Sequence, residues 1–214
     1  MSWTCHGKTN KDMVAKLHEY GILQSKVAAD AMIQIDRADY VLDRRSAYID
    51  SPQPIGYNAT ISAPHMHAYC LDYLSDYLKP GNRVLDVGSG SGYLAAVFAI
   101  MVGETGRTVG VEHISQLVDR SIESIKKGPA AHLLDKGALS IHVGDGKKGF
   151  PDEAPYDAIH VGAAASVPEA LVNQLKPGGR IVIPVVDSLM IIDKNADGTL
   201  KQKSVMDVRY VPLV

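Results

Sequence analysis

The chain has 214 residues, of which 46% are hydrophobic and 21% are charged, and its formal net charge is −2 at pH 7. This length and composition suit one globular domain with a substantial buried core. The near-zero charge and the lack of a basic stripe with interleaved aromatic residues disfavour nucleic-acid binding. We therefore expect a single domain over residues 1–214 that does not bind nucleic acid.

The cysteines and the N-terminal residues indicate the compartment. Cys5 and Cys70 are a lone, widely separated pair, which is typical of a reducing compartment and not of a disulfide scaffold. Residues 1–11 are polar and lack the apolar core of a secretory signal, and no run approaches membrane-spanning length. We expect a cytoplasmic protein without membrane contact. Since nothing indicates a coiled coil, we also expect a monomer.

The first 78 residues predict mainly helices. Two short amphipathic helices are expected, one around residues 13–20 and one that begins with Ser25 as its N-cap. Residues 43–56 contain two prolines and are expected to be irregular. The triplet Ser62-Ala63-Pro64 predicts a longer helix that continues through Leu78, with Ser62 as N-cap and proline in the first turn. Tyrosines recur there every four residues, which predicts a packing stripe; they are Tyr69, Tyr73 and Tyr77.

The glycine-rich stretch that follows predicts a strand, a tight turn and a helix that together cradle a nucleotide. An apolar run ends at Asp86, and Gly88, Gly90 and Gly92 come next at alternate positions. Glycine permits a positive φ and a close backbone approach to a ligand. A dinucleotide-binding turn places its third glycine three residues after the second, whereas Gly92 follows Gly90 by two. The pattern favours S-adenosylmethionine over NAD or a mononucleotide, with an ordinary strand-to-helix turn as the remaining interpretation.

The rest of the chain alternates strands and helices. Strands are expected at 108–111, 140–143, 157–162 and 180–185, with helices around 117–125 and before Leu175, and a turn at 176–179. Such alternation predicts a doubly wound α/β fold, in which helices cover both faces of a mostly parallel sheet. Segments 189–193 and 205–213 are expected to form a C-terminal hairpin.

Several polar or glycine-containing segments fall where the predicted strands end. Glu112 lies roughly 20 residues after the glycine loop, where a ribose-binding carboxylate belongs in such sheets. Asp145 with Gly146, and residues 162–164, follow the next two strands. Ligands bind outside the carboxyl ends of parallel strands, so these segments are expected to share one pocket. For both acids the alternative is a solvated carboxylate at a strand end.

The sequence resembles the protein-L-isoaspartate (D-aspartate) O-methyltransferase family. The resemblance rests on segments 86–92, 143–146, 154–165 and 175–180, and on the family's substrate-loop signature at 50–56 and 59–67. It implies a class I S-adenosylmethionine-dependent, Rossmann-like fold with a seven-stranded sheet. It divides the chain into N-terminal helices and substrate loop (1–78), cofactor-binding core (79–185) and C-terminal strands (186–214). It also implies methyl transfer from S-adenosylmethionine to L-isoaspartyl or D-aspartyl carboxylates in damaged proteins and peptides.

The resemblance assigns roles to individual residues. Ser62 corresponds to the active-site serine, and the segment over the methionine part of the cofactor is Ala59, Thr60, Ile61, Ser62 and His67. Asp86, Gly88, Ser89 and Gly90 belong to the cofactor loop, Glu112 and His113 match the ribose contact, and Asp145 and Gly146 match the adenine contact. No metal is expected, because His65, His67, His113 and His160 have no acid or cysteine cluster that completes a ligand set.

Two roles compete for Ser62. An ionised carboxylate needs no strong general base to attack a sulfonium methyl group, so the catalytic role is an orienting hydrogen bond. The alternative is a plain helix cap, which the spacing alone favours and the resemblance does not.

Other functions compete with the one that the resemblance implies. They are a methyltransferase of the same fold with another carboxyl or small-molecule substrate, a cofactor-binding but inactive homologue, and, less favoured, an NAD-dependent oxidoreductase. The loop after Val185 is shorter than the family's glycine-rich insert, and the chain ends at Val214 where the family continues with a polar tail.

Overall fold

The computed structural model describes residues 5–213, so residues 1–4 of the predicted polar N-terminus, and Val214, lie outside the described residues. The helices are α1 Asn10–Glu19, α2 Lys26–Gln34, α3 Pro64–Leu74, α4 Tyr93–Val102, α5 Ser115–Ile125, α6 Ala131–Asp135 and α7 Glu169–Gln174. The strands are β1 Gln53–Gly56, β2 Ala59–Ile61, β3 Arg83–Val87, β4 Arg107–Glu112, β5 Leu139–Val143, β6 Tyr156–Val161, β7 Leu175–Val185, β8 Ser188–Lys194 and β9 Leu200–Asp207.

A seven-stranded sheet organises the described residues, in the order β5-β4-β3-β6-β7-β8-β9. Strands β3 to β7 pair in parallel, and β8 and β9 are antiparallel additions. The chain winds outward from β3 to one side and then returns to place β6 on its other side. The predicted doubly wound α/β fold is confirmed. The carboxyl ends of β3 and β6 form the switch point at which such sheets bind ligands.

The core explains why these segments fold as they do. Helix α4 consists almost entirely of apolar residues, and nine of its ten residues are buried. Helices α1 and α2 place Met13, Leu17 and Met32 in the same apolar cluster as Tyr93 and Phe98 of α4. The predicted N-terminal helices are confirmed, with Ser25 as the cap of α2. The glycine loop that precedes α4 is therefore tied to the most buried part of the protein.

Helix α3 begins differently from the prediction. Its N-cap is Ala63, which makes no side-chain hydrogen bond, and Pro64 follows as the first helical residue. The amide of His65 is capped instead by Asp50, whose Oδ1 lies 3.0 Å from the His65 nitrogen. The prediction that Ser62 caps this helix was wrong, because an acid from a distant loop occupies that role. The helix also stops at Leu74 and continues only as a 3-10 turn.

The segment expected to be irregular contains a small hairpin. Strands β1 and β2 pair antiparallel and are joined by Tyr57 and Asn58, whose φ values are 55° and 58°. Two left-handed residues in succession form the tight turn that suits a two-residue hairpin. The prediction missed these strands because Pro54 and the short length hide the alternation of apolar and polar residues.

The C-terminal strands also differ from the prediction. β9 starts at Leu200 and ends at Asp207, so residues 208–213 leave the hairpin and turn back over the sheet. The shortened loop after Val185 is a two-residue connection, since Val185 pairs directly with Ser188. Val186 in that turn has a φ of 53° and is 78% exposed. The turn expected at 176–179 is an excursion within β7, at which the register with β6 shifts.

Candidate active site

The glycine loop connects β3 to α4 at the switch point of the sheet. Gly88, Gly90 and Gly92 all have a positive φ, a backbone conformation that residues other than glycine adopt only at an energetic cost. A Cβ at Gly92 would lie 2.8 Å from the Cβ of Ser121, so glycine is also required for α4 and α5 to pack. The amides of Gly88 and Ser89 donate to the backbone oxygen of Val111 in β4, which ties the loop to the sheet.

Glu112 ends the neighbouring strand β4 and reaches back to this loop. Its Oε2 accepts a hydrogen bond from the amide of Gly90 at 3.0 Å, and its Oε1 accepts one from Ile114 at 3.1 Å. The side chain of His113 lies 3.1 Å from the same Oε1 and is about half exposed. A carboxylate offers about four acceptor sites. Glu112 therefore fixes the loop and keeps capacity for further donors, such as hydroxyl groups of a ligand.

A buried ion pair lies beneath the loop. Asp86 and His160, on the adjacent strands β3 and β6, are 2% and 5% exposed, and Nδ1 of His160 lies 2.7 Å from Oδ1 of Asp86. Burial opposes the charged ring, but the hydrogen bonds to Asp86 and Cys70 outweigh it and raise the pKa of His160 to about 10. The ring is therefore an imidazolium at neutral pH, and Asp86 balances its charge.

Two hollows meet at this end of the sheet. A narrow one of about 40 Å³ lies against the glycine loop, and a cleft of about 670 Å³ lies on its outer side. Thr60, Ser62 and Gly162 line both. The narrow hollow brings together eight predicted site residues, namely Thr60, Ile61, Ser62, His67, Asp86, Gly88, Ser89 and Gly90. Ser62 thus stands between the glycine loop and an open cleft.

Five predicted site residues lie outside the narrow hollow. They are Ala59, Glu112, His113, Asp145 and Gly146. Ala59 lies in β2, and Asp145 uses Oδ1 to accept the amide of Lys147 at 2.9 Å. A Cβ at Gly146 would lie 2.7 Å from Cγ1 of Val87, so this segment packs directly against the end of β3. The adenine contact of Asp145 and Gly146 stays a prediction.

Arg37 was missed by sequence reasoning. It is fully buried, and its Nη2 donates to the backbone oxygen of Ser62 at 2.8 Å while Nη1 lies 3.5 Å from Nδ1 of His67. Burial lowers the pKa of Arg37 only to about 10, so the guanidinium stays charged. Burial and this cation hold the pKa of His67 well below 6.5, so that ring is neutral. Nothing in the local sequence distinguishes Arg37 from surface arginines.

Tyr210 was also missed. It lies on the segment that follows β9, which is anchored where the amide of Ala164 donates to Val211 at 2.7 Å and the amide of Leu213 donates to Ala164 at 2.8 Å. Tyr210 lines the cleft with Ser62, and the side chains of Ser62 and Cys70 interact with its hydroxyl. Burial raises the pKa of Tyr210 well above 10, so the hydroxyl keeps its proton.

The described residues 5–213 contain no group of three or more histidine, cysteine, aspartate or glutamate side chains placed to hold a metal ion. His65 pairs with Asp50, whose Oδ1 lies 2.8 Å from the His65 Nδ1. Within the same residues, no helix has the length and apolar character needed to cross a membrane.

Comparison with known proteins places this geometry in context. The family profile described as protein-L-isoaspartate (D-aspartate) O-methyltransferase matches residues 8–214. Protein-L-isoaspartate O-methyltransferase 1 of Arabidopsis thaliana is 58% identical over 208 residues, which cover 95% of this chain and 90% of the relative. Protein-L-isoaspartate O-methyltransferase of Caenorhabditis elegans is 49% identical, and the match covers 100% of this chain and 96% of the relative. A Plasmodium falciparum beta-aspartate methyltransferase solved with S-adenosyl-L-homocysteine superposes with a TM-score of 0.89 at 35% identity, covering 97% and 99%.

Proposed function

The chain belongs to the protein-L-isoaspartate (D-aspartate) O-methyltransferase family, and from that premise we propose how its residues carry out methyl transfer. The enzyme moves a methyl group from S-adenosylmethionine to the free carboxylate of L-isoaspartyl and D-aspartyl residues in damaged proteins. The ester then closes to a succinimide, whose hydrolysis restores some normal aspartate, so the function is protein repair. One observation carries the assignment of roles: Ser62 lines both the hollow at the glycine loop and the open cleft.

The residues at the glycine loop fit an adenosyl cofactor. The loop approaches as bare backbone at Gly88 and Gly90, and the Glu112 carboxylate beside it retains acceptor sites for ribose hydroxyl groups. We assign the methionine part to the segment 59–62 and His67, and the adenine to Asp145 and Gly146. When bound, S-adenosylmethionine would supply a methyl group on a sulfonium sulfur: the carboxylate oxygen would bond to the methyl carbon as the carbon–sulfur bond breaks, and S-adenosylhomocysteine would leave.

The protein's own contribution is positioning. A substrate carboxylate is ionised at neutral pH and needs no proton removed before it reacts. Ser62 donates a hydrogen bond that orients this carboxylate, while Arg37 fixes the Ser62 backbone and Tyr210 its hydroxyl. Holding the reacting atoms in a near-attack geometry accounts for several kcal/mol of barrier reduction. The residues around Ser62 therefore act as a frame for two substrates and not as a general base.

Replacing Glu112 by alanine tests the cofactor assignment. We expect the dissociation constant for S-adenosylmethionine to rise about tenfold or more, because the loop loses a charge-assisted bond at Gly90 and the ribose loses its acceptor. Isothermal titration calorimetry measures this directly. The control is Glu123→Ala on the exposed side of α5, where the carboxylate pairs with Lys126, and cofactor affinity should not change there. Unchanged affinity in the Glu112 variant would remove the ribose role.

Replacing Tyr210 by phenylalanine tests the positioning of Ser62. The ring and its packing remain, but Ser62 loses its interaction with the hydroxyl, so we expect kcat for an isoaspartyl peptide to fall about tenfold with a smaller change in the peptide KM. Steady-state kinetics at saturating cofactor give both constants. Tyr20→Phe, at an exposed tyrosine that does not line the cleft, is the matched control. A kcat equal to that of the wild type would show that the Tyr210 hydroxyl does not position Ser62.

The substrate assignment is tested with paired peptides that differ only in the linkage of one aspartate. Labelled S-adenosylmethionine should place a base-labile methyl group on the isoaspartyl peptide and not on the aspartyl peptide. Equal labelling of both would favour a methyltransferase with another carboxyl substrate. Cofactor binding without labelling of either would favour an inactive homologue.

We also propose a domain organisation, an oligomeric state and a cellular compartment for this chain. We assign residues 1–214 to one functional unit that acts as a monomer in the cytoplasm and does not bind nucleic acid. Cys5 and Cys70 are both free and buried, which suits a reducing compartment. Light scattering coupled to size-exclusion chromatography should give a mass near 23.0 kDa. A mass of twice that value at micromolar concentration would overturn the monomer.

A further inference from the structure

A second surface pocket adjoins the cleft that contains Ser62. Tyr69 of α3 lines the cleft and also lines a neighbouring surface pocket of about 370 Å³. That second pocket is lined by residues of α3 and by residues just before α2, and none of its lining residues belongs to the C-terminal segment. The two spaces share Tyr69 as a lining residue, so they adjoin at this side chain, and together they are called the groove. A peptide whose reactive residue lies at Ser62 would reach the second pocket beside Tyr69.

The floor of the second pocket is aromatic. Tyr69 and Tyr73 are one helical turn apart on α3, and their rings stack with centroids 6.4 Å apart and planes 18° from parallel. Ile22, which is 7% exposed, lies at the same pocket. The tyrosines expected from sequence to be a packing stripe do pack against the core. Tyr69 and Tyr73 also line the second pocket.

The acid in this pocket is already engaged. Oδ2 of Asp72 accepts the amide of Gln24 at 2.6 Å, and Oδ1 accepts the amide of Ser25 at 2.8 Å. Ser25 is the N-cap of α2, so the carboxylate also faces the positive end of that helix. These contacts offset part of the Asp72 charge and occupy one acceptor site on each oxygen, which weakens the attraction of this carboxylate for a lysine or arginine of a substrate. The chemistry of the pocket instead suits a neutral ring that stacks on Tyr73.

We propose that the pocket over Tyr69 and Tyr73 is a subsite for an aromatic side chain that flanks the isoaspartyl residue on one side. This inference rests on the proposed function and adds a substrate preference to it. The preference is modest, because one aromatic contact supplies about 1 kcal/mol, which corresponds to about a fivefold change in kcat/KM. A repair enzyme with such a subsite still accepts many sequences but favours damage beside aromatic residues.

The test uses a series of isoaspartyl peptides with alanine on both flanks, and the same peptides with phenylalanine placed singly at each of the two positions before and after. For the wild type we expect phenylalanine on one flank to raise kcat/KM about fivefold over the alanine peptide, and the other flank to have little effect. Equal kcat/KM for every peptide would overturn the subsite. So would an equal gain on both flanks, which indicates general hydrophobic attraction.

Variants of the pocket residues test whether the preference for the phenylalanine peptide arises at Tyr73. Tyr73→Leu should reduce the ratio of kcat/KM between the phenylalanine and alanine peptides to near one, and Tyr73→Phe should keep it, since the ring is retained. Tyr20→Ala, an exposed tyrosine outside the groove, should keep the wild-type ratio. If Tyr73→Leu keeps the wild-type ratio of kcat/KM, another part of the protein causes the preference. If that variant does not fold, Gln24→Trp, which adds bulk to the pocket lining, must lower the ratio, and an unchanged ratio there overturns the subsite.

Failure of this inference is distinguishable from failure of the proposed function. If the wild type does not methylate the alanine-flanked isoaspartyl peptide, the function itself is wrong. If that peptide is methylated and phenylalanine makes no difference at any position, the methyltransferase assignment stands and only the subsite is lost.

Discussion

Replacing Ser62 by alanine is expected to lower kcat for an isoaspartyl peptide about 100-fold while the melting temperature stays within about 1 °C of the wild type. The loss follows because the carboxylate is no longer oriented, and small misplacements of reacting atoms cost rates of this order. Stability is expected to hold because the start of α3 is capped by Asp50 through the amide of His65, so no helix amide depends on Ser62. Single-turnover methylation and calorimetric melting measure the two effects.

A true helix cap provides the reverse control. Thr9 caps α1 by accepting the amide of Asp12, and it does not line the cleft. Thr9→Ala should cost about 1 kcal/mol in the free energy of unfolding and leave kcat unchanged. If Ser62→Ala gave the pattern of Thr9→Ala, lower stability with full turnover, Ser62 would have no catalytic role.

The second large effect is expected at the buried ion pair. Asp86→Asn should lower the free energy of unfolding by about 3 kcal/mol or more near pH 6.5, because the variant leaves the buried His160 ring without its anionic partner. Chemical denaturation monitored by circular dichroism gives this value. Asp43→Asn is the matched control, since the pair of Asp43 with Arg45 is exposed and should contribute little.

The pH dependence follows from the raised pKa of His160. The pKa is about 10 in the folded protein and 6.5 in the unfolded chain, so the pair stabilises the fold fully below about pH 6.5. That contribution declines as the pH rises towards 10, where the folded ring also loses its proton. The difference between wild type and Asp86→Asn should therefore narrow steadily from pH 6.5 to pH 10. A difference that stayed constant, or widened, would show that His160 is not charged in the fold.

The cofactor side of the site was predictable from sequence because it depends on local patterns. Three alternate glycines after an apolar run specify the loop, and Glu112 closes the next strand at the expected spacing. In a parallel sheet the carboxyl ends of all strands share one edge, so alternation alone brings these segments together. The structure then adds the direct bond between Glu112 and the amide of Gly90.

The substrate side was less predictable because it is built from contacts between distant parts of the chain. Arg37 and Tyr210 both reach Ser62, from near the two ends of the chain. Asp50 caps a helix that starts 14 residues later, which freed Ser62 from the role that local spacing favoured. A charged or aromatic residue in a loop has no periodic signature, so its partner is known only once the chain has folded.

By itself the sequence determined the strand and helix alternation, the cofactor loop and the family, because each is written in the order and spacing of neighbouring residues. Only the tertiary structure decided which groups surround Ser62, that His160 carries a charge beside Asp86, and that Tyr69 and Tyr73 line a pocket next to the cleft. These features depend on burial and on side chains that meet across the sheet edge. Burial and long-range contacts set the free energies of charges and hydrogen bonds, and neither can be read from the spacing of neighbouring residues.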